Sequence, residues 1–163
     1  MSFYIDGQSI GNEQKGKPRR ARIVVLYQPT PDPSHGSSSA RVLVEDLGDK
    51  TNNEAEYHAL LRLLSLLSTS PSGKSHRRFS SIAGTVRIFS DSKLLVNQVN
   101  GEWKVQEESL SRLREEARNL MNKLGSIRLD WVPREKNYAG LWLEGQWIAK
   151  QVAAEKFLSG LNS

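Results

Sequence analysis

The order of strand-like and helix-like segments is the feature that most limits the fold of this 163-residue chain. Three segments with strand character come first, and a leucine-rich helix, a strand, further helices, a fifth strand and a last helix follow. The strands are predicted at residues 3–9, 21–28, 41–47, 85–91 and 126–132, and the helices at 52–67, 92–99, 105–124 and 139–158. This order predicts an α/β fold in which three antiparallel strands and then two parallel strands form a mixed five-stranded sheet flanked by helices.

Length and composition indicate a single domain over residues 1–163, because domains usually contain about 100–150 residues. The chain has 23 Lys and Arg against 18 Asp and Glu, and the net charge of +5 favours a polyanionic partner. It has no cysteine, which excludes disulfides, a thiolate nucleophile and a Cys-ligated zinc. The Ser-rich segment 68–81 contains several basic residues and predicts a surface loop.

The sequence contains no signal for a membrane. Its first residues show no basic segment followed by an apolar one, and no segment reaches the ~20 apolar residues that cross a bilayer. We therefore expect a cytoplasmic protein without membrane contact. Separately, we expect a monomer.

The segment from Thr51 to Leu60 predicts the start of a helix in which two glutamates have different roles. Thr51 and Glu54 have the spacing of a capping box, so each side chain can satisfy a backbone N–H of the other residue. Glu56 precedes Ala59 by three residues and therefore lies on the apolar stripe of the helix. An ionised carboxylate is costly there unless a cation faces it. Glu56 therefore either reaches water or an arginine, or binds a metal ion.

Three further acids occupy positions where a metal site can form. Asp6 lies within the first strand, Asp91 ends the fourth strand, and Glu144 falls on the apolar stripe of the last predicted helix. Sites in open α/β sheets gather beyond the carboxyl ends of strands. Paired Mg²⁺ or Mn²⁺ ions bind carboxylates and assist phosphoryl displacement, so these acids and Glu56 predict two-metal-ion hydrolysis of a phosphodiester.

Each of these acids also has a simpler interpretation. Asp6 can be an edge or turn acid, Asp91 a helix N-cap, and Glu144 a surface acid. Asp130 serves as a comparison, because it alternates with Arg128 on one face of its strand and is expected on a solvated face.

Five sequence blocks follow one another at residues 4–7, 51–60, 89–98, 100–105 and 131–137. In their residues and their order they resemble the blocks of type 1 ribonuclease H, and the chain is most similar to the compact bacterial and archaeal branch of that family. The resemblance implies the ribonuclease H-like fold and an endonuclease that hydrolyses the RNA strand of RNA–DNA hybrids. It also implies Mg²⁺ or Mn²⁺ as cofactor, and 5′-phosphate and 3′-hydroxyl ends on the products.

The resemblance implies roles for individual residues. The first three catalytic, metal-binding acids of the family correspond to Asp6, Glu56 and Asp91, and this choice of Glu56 over Glu54 agrees with the capping box. Three further positions correspond to those that meet the 2′-hydroxyl groups of the RNA, although they can also be cap and turn residues. These positions are Asn52, Asn53 and Gln98.

The chain departs from the family pattern at two places. Residues 11–15 replace the Gly-Asn-Pro-Gly turn that often follows the first strand, so phosphate contacts from that turn are not expected. The fourth acid should stand four residues after Asn137, where this chain has Leu141, and leucine cannot bind a metal.

Three outcomes are open for the fourth acid. Glu144 can lean back along the last helix and serve as the catalytic ligand, because helical side chains point toward the helix N-terminus. Asn137 can supply its amide oxygen instead. Otherwise the site works with three acids or has lost its activity. Arg134 and Lys136 remain as candidate phosphate contacts, because no histidine lies in this region.

The sequence therefore leaves three functional classes to compare. The first is a metal-dependent ribonuclease acting on RNA–DNA hybrids. The second is a catalytically weak or inactive nucleic-acid-binding module on the same fold, and the third is a structural basic domain whose acids are caps and surface charges.

Overall fold

The computed structural model describes residues 1–11, 19–29, 36–69 and 84–159, with the side chains of residues 36–38 left out. The strands are β1 (Ser2–Ile10), β2 (Arg20–Gln28), β3 (Gly36–Gly48), β4 (Val86–Ser90), β5 (Ile127–Trp131) and β6 (Ile148–Gln151). The helices are α1 (Asn52–Ser68), α2 (Lys93–Val99), α3 (Glu108–Leu124), α4 (Tyr138–Leu143) and α5 (Ala154–Phe157). Most of the predicted loop 68–81 and residues 12–15 lie outside the described ranges. None of the described helices is both long and apolar enough to cross a bilayer.

The strands form one mixed sheet in the order β5-β4-β1-β2-β3-β6. The first three strands are antiparallel neighbours, while β4 pairs in parallel with β1, and β5 pairs in parallel with β4. These pairings confirm the predicted mixed α/β sheet. The sheet has six strands and not five, because β6 pairs in parallel with β3 at the outer edge.

The predicted last helix over residues 139–158 is wrong. Helix α4 ends at Leu143, and Gly145 follows with a left-handed φ of 73°. The N–H of Gly145 donates to the carbonyl of Trp142, and the N–H of Gln146 donates to the carbonyl of Leu141, which is the Schellman pattern of a helix end. The chain then pairs with β3, so Ile148 lies 67% exposed on an edge strand and not on a buried helical stripe.

Apolar residues cover both faces of the sheet. Alternation along β1 places Phe3 and Ile5 in the larger core cluster, together with Leu60 of α1. Tyr4 packs instead against the smaller cluster that contains Ala139 of α4. Asp6 has the parity of Tyr4, so it lies on the face that α4 covers.

Candidate metal centre and active site

Three acids converge where β1, β4 and α1 meet. Asp6, Glu56 and Asp91 each offer a carboxylate oxygen, and these three oxygens lie within 4.8 Å of one another. Asp6 lies in β1, Asp91 directly follows the parallel neighbour β4, and Glu56 lies in the first turns of α1. The structure thus brings together the three acids that the sequence selected.

Gly7 allows the amino end of α1 to lie directly on β1. A Cβ atom at this position would lie 2.3 Å from the carbonyl carbon of Ala55 and 2.4 Å from the amide nitrogen of Glu56. The N–H of Gly7 donates to Glu56 Oε2 at 3.1 Å. The absence of a side chain at Gly7 is therefore what brings the Glu56 carboxylate to β1.

The two glutamates of α1 have the predicted division of roles. Thr51 Oγ1 accepts from the N–H of Glu54 at 3.1 Å, and the N–H of Thr51 donates to Glu54 Oε2 at 2.8 Å. This is a complete capping box. Glu54 is therefore used at the helix end, while Glu56 belongs to the cluster of acids.

Asp91 is not the N-cap of the following helix. Ser92 is the N-cap of α2, and its hydroxyl oxygen accepts from the N–H of Leu95 at 3.2 Å. The Asp91 carboxylate accepts instead from Arg134 Nη1 at 3.0 Å and from Asn137 Nδ2 at 3.2 Å. Its side chain is therefore directed toward the region between β5 and α4.

Burial and mutual repulsion change the acidity of the cluster. The pKa of Asp6 is raised from 3.8 to about 6, chiefly by burial and then by the charge of Asp91, while the charge of Arg134 opposes the shift. Burial also raises the pKa of Glu56 well above its ordinary value, with the charges of Asp6 and Asp91 adding to the effect. These carboxylates are short of positive charge, so a cation would favour their ionised forms.

The donor set of the cluster fits a hard divalent cation. Asp6 is 1% exposed, and its Oδ1 atom is buried without a hydrogen-bond partner among the described residues. Arg134 Nη1 lies 3.5 Å from this oxygen and forms an ion pair with it. A buried carboxylate oxygen without a hydrogen bond, beside two further carboxylates, matches the oxygen ligands that Mg²⁺ and Mn²⁺ prefer.

Arg134 has a central position that sequence reasoning did not predict. Its guanidinium contacts Asp91 at 3.0 Å, Asp6 at 3.5 Å and Glu144 at 3.0 Å. The sequence identified Arg134 and Lys136 together as phosphate contacts, and nothing in the sequence distinguishes them. Both residues are exposed, and the 3-10 turn at Arg134–Lys136 directs Arg134 to the acids, with which it forms ion pairs.

The two candidates for a fourth ligand have other contacts. Glu144 has a side chain that is 40% exposed, and its Oε1 accepts from Nε and Nη2 of Arg134. Because α4 ends before it, Glu144 is not held over Leu141 by helix geometry. Asn137 is buried and donates to the carbonyl of Ile5 at 3.0 Å as well as to Asp91, while its Oδ1 has no described partner. Asn137 therefore ties Asp91 to β1.

The predicted substrate-binding residues differ in their surroundings. Gln98 is only 6% exposed, and its Oε1 accepts from the hydroxyl of Tyr57 at 2.8 Å. Asn52 is exposed and accepts from the N–H of Ser9 at 2.7 Å, and Asn53 is half-buried. As expected for a solvated face, the comparison residue Asp130 pairs with two partly exposed arginines, Arg87 and Arg128.

Gln8 is a site residue that sequence reasoning missed. Its Nε2 donates to Asp6 Oδ2 at 3.1 Å. The sequence contains a signal for this contact, because Gln8 follows Asp6 by two residues and residues two apart on a strand lie on the same face of the sheet. Gln8 therefore orients Asp6 Oδ2, the second oxygen of this carboxylate.

Comparisons with known proteins agree with this fold. The reverse transcriptase-like family model matches residues 80–143. The bifunctional protein Rv2228c of Mycobacterium tuberculosis is 34% identical over 91 residues, which are 56% of this chain and 22% of that protein. The chain thus spans only about a fifth of the length of such curated relatives.

Solved structures extend the similarity over most of the chain. The ribonuclease H domain of Rv2228c, solved as a fusion with maltose-binding protein, is 30% identical, covers 83% of this chain and 84% of that one, and has a TM-score of 0.57. Ribonuclease H1 of Halobacterium salinarum is 25% identical, with coverages of 85% and 89% and a TM-score of 0.58. LC11 ribonuclease H1, solved in complex with an RNA/DNA hybrid, is 26% identical, with coverages of 83% and 87% and a TM-score of 0.60.

The mixed sheet and the three-acid cluster define a ribonuclease H-like protein. The chain belongs to the type 1 ribonuclease H family.

Proposed function

We propose that this protein is an endoribonuclease that hydrolyses the RNA strand of RNA–DNA hybrids with Mg²⁺ or Mn²⁺, leaving 5′-phosphate and 3′-hydroxyl ends. The observation that carries the proposal is the convergence of Asp6, Glu56 and Asp91, with a buried oxygen on Asp6 that accepts no hydrogen bond from the described residues. A relative solved with an RNA/DNA hybrid supports the substrate class.

In this proposal, Asp6, Glu56 and Asp91 hold the divalent ion. The ion supplies charge stabilisation at the reacting phosphate and lowers the pKa of bound water. The protein fixes the carboxylates through neighbouring side chains and backbone groups. These groups are Gln8 at Asp6, the N–H of Gly7 at Glu56, and Asn137 at Asp91.

The substrate side of the proposal rests on groups around this cluster. Arg134 and Lys136 are the candidate phosphate contacts, and Asn52 and Asn53 are the candidate contacts with the RNA 2′-hydroxyl groups. Gln98 is buried against Tyr57, so a role of its side chain at the RNA requires it to leave this hydrogen bond. We also propose that the protein acts as a cytoplasmic monomer.

The number of ions remains a prediction from the sequence. A pair of ions needs ligands on both sides of the cluster. In the described part of the chain, Glu144 is engaged by Arg134, and Asn137 offers only its amide oxygen. Two-metal-ion catalysis therefore requires Glu144 to leave Arg134, or Asn137 to act as a neutral ligand.

A second candidate function is favoured by one observation. Neither Gly140 nor Leu141 offers a carboxylate where the family has its fourth acid. A site with three acids can bind hybrids without cleaving them at a useful rate. The alternative is therefore a catalytically weak or inactive module that binds nucleic acid on the same fold.

Cleavage of a labelled RNA–DNA hybrid tests the proposal. Purified protein with Mg²⁺ or Mn²⁺ should cut the RNA strand, and the products should be ligatable through a 5′-phosphate. Asp91→Asn should lower cleavage by more than the ~10–100-fold typical of residues outside the first ligand shell, because it removes a proposed ligand.

Hybrid binding separates the two candidates. Asp91→Asn should retain binding, and the affinity should fall steeply with salt because lysine and arginine contacts release counterions. Binding without cleavage by the wild-type protein would favour the binding module. If a hybrid is neither bound nor cut, both candidates are wrong.

A further inference from the structure

Gly140 occupies a position that points at the acid cluster. A Cβ atom added there would lie 3.5 Å from Asp6 Oδ2, with only the Arg134 guanidinium closer. Adjacent residues on a helix point about 100° apart, so Gly140 and Leu141 present their side chains in different directions. The family spacing of four residues after Asn137 selects Leu141 as the position of the fourth acid. In the structure, however, it is a side chain at position 140 that would point at the cluster.

Arg134 lies in the space that a side chain at Gly140 would enter. The Cβ atom at Gly140 would lie 3.3 Å from Cζ and 3.4 Å from Nη1 of Arg134. Nη1 contacts Asp91 and Asp6, while Nε and Nη2 donate to Glu144 at 3.2 Å and 3.0 Å. Each side of the guanidinium fork therefore has a carboxylate partner.

We propose that Gly140 marks the fourth corner of the cluster, and that Arg134, held by Glu144, fills this corner as a resident cation. The missing side chain at Gly140 provides the room for the guanidinium. Arg134 then supplies positive charge to Asp6 and Asp91 on the side where a fourth acid would otherwise add negative charge. This inference rests on the proposed function, because it concerns the ion that the cluster would hold.

A resident guanidinium should weaken divalent-ion binding. It competes for the Asp6 and Asp91 oxygens and repels a second cation nearby. Arg134 is in this view a positioning residue with a measurable effect on metal affinity. Glu144 acts through Arg134 and not as a ligand.

A carboxylate introduced either at Gly140 or at Leu141 tests which of the two positions is the fourth corner of the cluster. Mn²⁺ binding to the full chain without nucleic acid is measured by titration calorimetry. Gly140→Asp should tighten Mn²⁺ binding at least about tenfold, because it adds a carboxylate beside Asp6. Leu141→Asp is the matched control and should change the affinity less than about threefold, since it adds the same charge one residue away.

Gly140→Ala controls for the displacement of Arg134 without an added charge. A methyl group at 3.3–3.4 Å from the guanidinium requires only that a flexible side chain move. Its effect on Mn²⁺ binding should therefore lie between those of the wild type and Gly140→Asp. If Leu141→Asp tightens binding and Gly140→Asp does not, the corner lies at residue 141 and the proposal is wrong.

Removal of the resident cation is the second test. Arg134→Ala should tighten Mn²⁺ binding by about tenfold at low salt, because a positive charge leaves two of the proposed ligands. Lys136→Ala removes the same charge from an exposed position two residues away, and should change the affinity less than about threefold. Equal affinities for Arg134→Ala and wild type would exclude a resident cation.

Glu144 is tested in the Arg134→Ala background. If Glu144 acts only through Arg134, adding Glu144→Gln to that variant should change Mn²⁺ affinity less than about threefold. A further loss of tenfold or more would show that Glu144 is itself a ligand, as the sequence suggested, and would overturn its role here.

These results do not depend on cleavage. Mn²⁺ affinities that follow the expected pattern in a protein that cuts no hybrid would support the corner and refute the ribonuclease. Cleavage together with unchanged affinities in Gly140→Asp and Arg134→Ala would support the ribonuclease and refute the corner. Circular dichroism of each variant excludes unfolding as the cause.

Discussion

The two ends of the acid cluster are built in different ways. At the α1 end, Glu56 is fixed by a capped helix that lies directly on β1 at Gly7. At the α4 end, the helix has six residues, the fourth acid is absent, and Arg134 approaches Asp6 and Asp91 from a 3-10 turn. At the α1 end, a backbone contact holds the negatively charged Glu56 in the cluster. At the α4 end, the flexible side chain of Arg134 brings a positive charge to it.

The difference between the two ends shows where caps and periodicity predict the structure correctly and where they do not. At the α1 end, the capping box, the apolar stripe and the small residue on β1 all favour the same structure. At the α4 end, the apolar periodicity of residues 141–152 favours a helix, whereas pairing with the open edge of β3 favours a strand. The tertiary contact prevails there, so local periodicity gave the wrong element.

The largest expected effect concerns the close contact at Gly7. Gly7→Ala should reduce the free energy of unfolding by at least about 3 kcal/mol or prevent folding, because its Cβ would overlap the backbone of α1, which cannot move alone. Gly140→Ala is the control at the other end and should cost less than about 1 kcal/mol, since only a flexible side chain must give way. Urea unfolding measures both, and similar losses would show that the two ends are equally rigid.

The second effect is a pH dependence of the metal-free protein. The pKa of Asp6 is raised to about 6 in the folded state, so the folded protein binds more protons than the unfolded chain between about pH 4 and 6. The contribution of Asp6 to stability therefore falls as pH rises through this window and is least favourable above it. Glu56 acts in the same direction.

Asp6→Asn isolates this contribution. In EDTA at pH 8 it should raise the free energy of unfolding by about 1–3 kcal/mol, because a buried charge is removed, and at pH 4 the gain should be small. Asp130→Asn is the control, since Asp130 lies on a solvated face beside two arginines. An equal gain at pH 4 and pH 8 would contradict the raised pKa.

Mn²⁺ should stabilise the wild type more than Asp6→Asn if Asp6 is a ligand.

The smallest effect tests the end of α4. Gly145→Ala should lower the free energy of unfolding by about 1 kcal/mol, because Gly145 has a left-handed φ of 73° in the Schellman turn. A continuous helix over residues 139–158 predicts the opposite sign, since alanine stabilises a helix interior by about 1 kcal/mol relative to glycine. The sign of the change in the urea midpoint therefore distinguishes the two structures.

The sequence predicted most of the sheet and the three acids that converge in the cluster, Asp6, Glu56 and Asp91. β1 carries Asp6 and β4 precedes Asp91, and both strands lie close to the bounds that the sequence predicted for them. The capping box separated Glu54 from Glu56. These features are local, because they depend on spacings of two to four residues that strand and helix geometry set directly.

The positions of Arg134 and Gly140 could not be predicted in this way. The local sequence does not distinguish the arginine from the lysine two residues later in the turn after β5, and only the path of the 3-10 turn directs one of them to the acids. Likewise, the choice between residues 140 and 141 depends on how α4 is rotated against β1. Ala139 packs in the smaller core cluster, and no short spacing in the sequence encodes such a tertiary contact.

The sequence by itself determined the family-like order of elements, the capped start of α1 and the three acids that could share a cation. Only the tertiary structure decided that residues 148–151 form a sixth strand, and that Arg134 stands at the corner opened by Gly140. The physical reason is the range of the interactions. Caps and periodicity act within one turn or one strand, whereas pairing at a sheet edge and the meeting of a guanidinium with two acids join residues 40 or more positions apart.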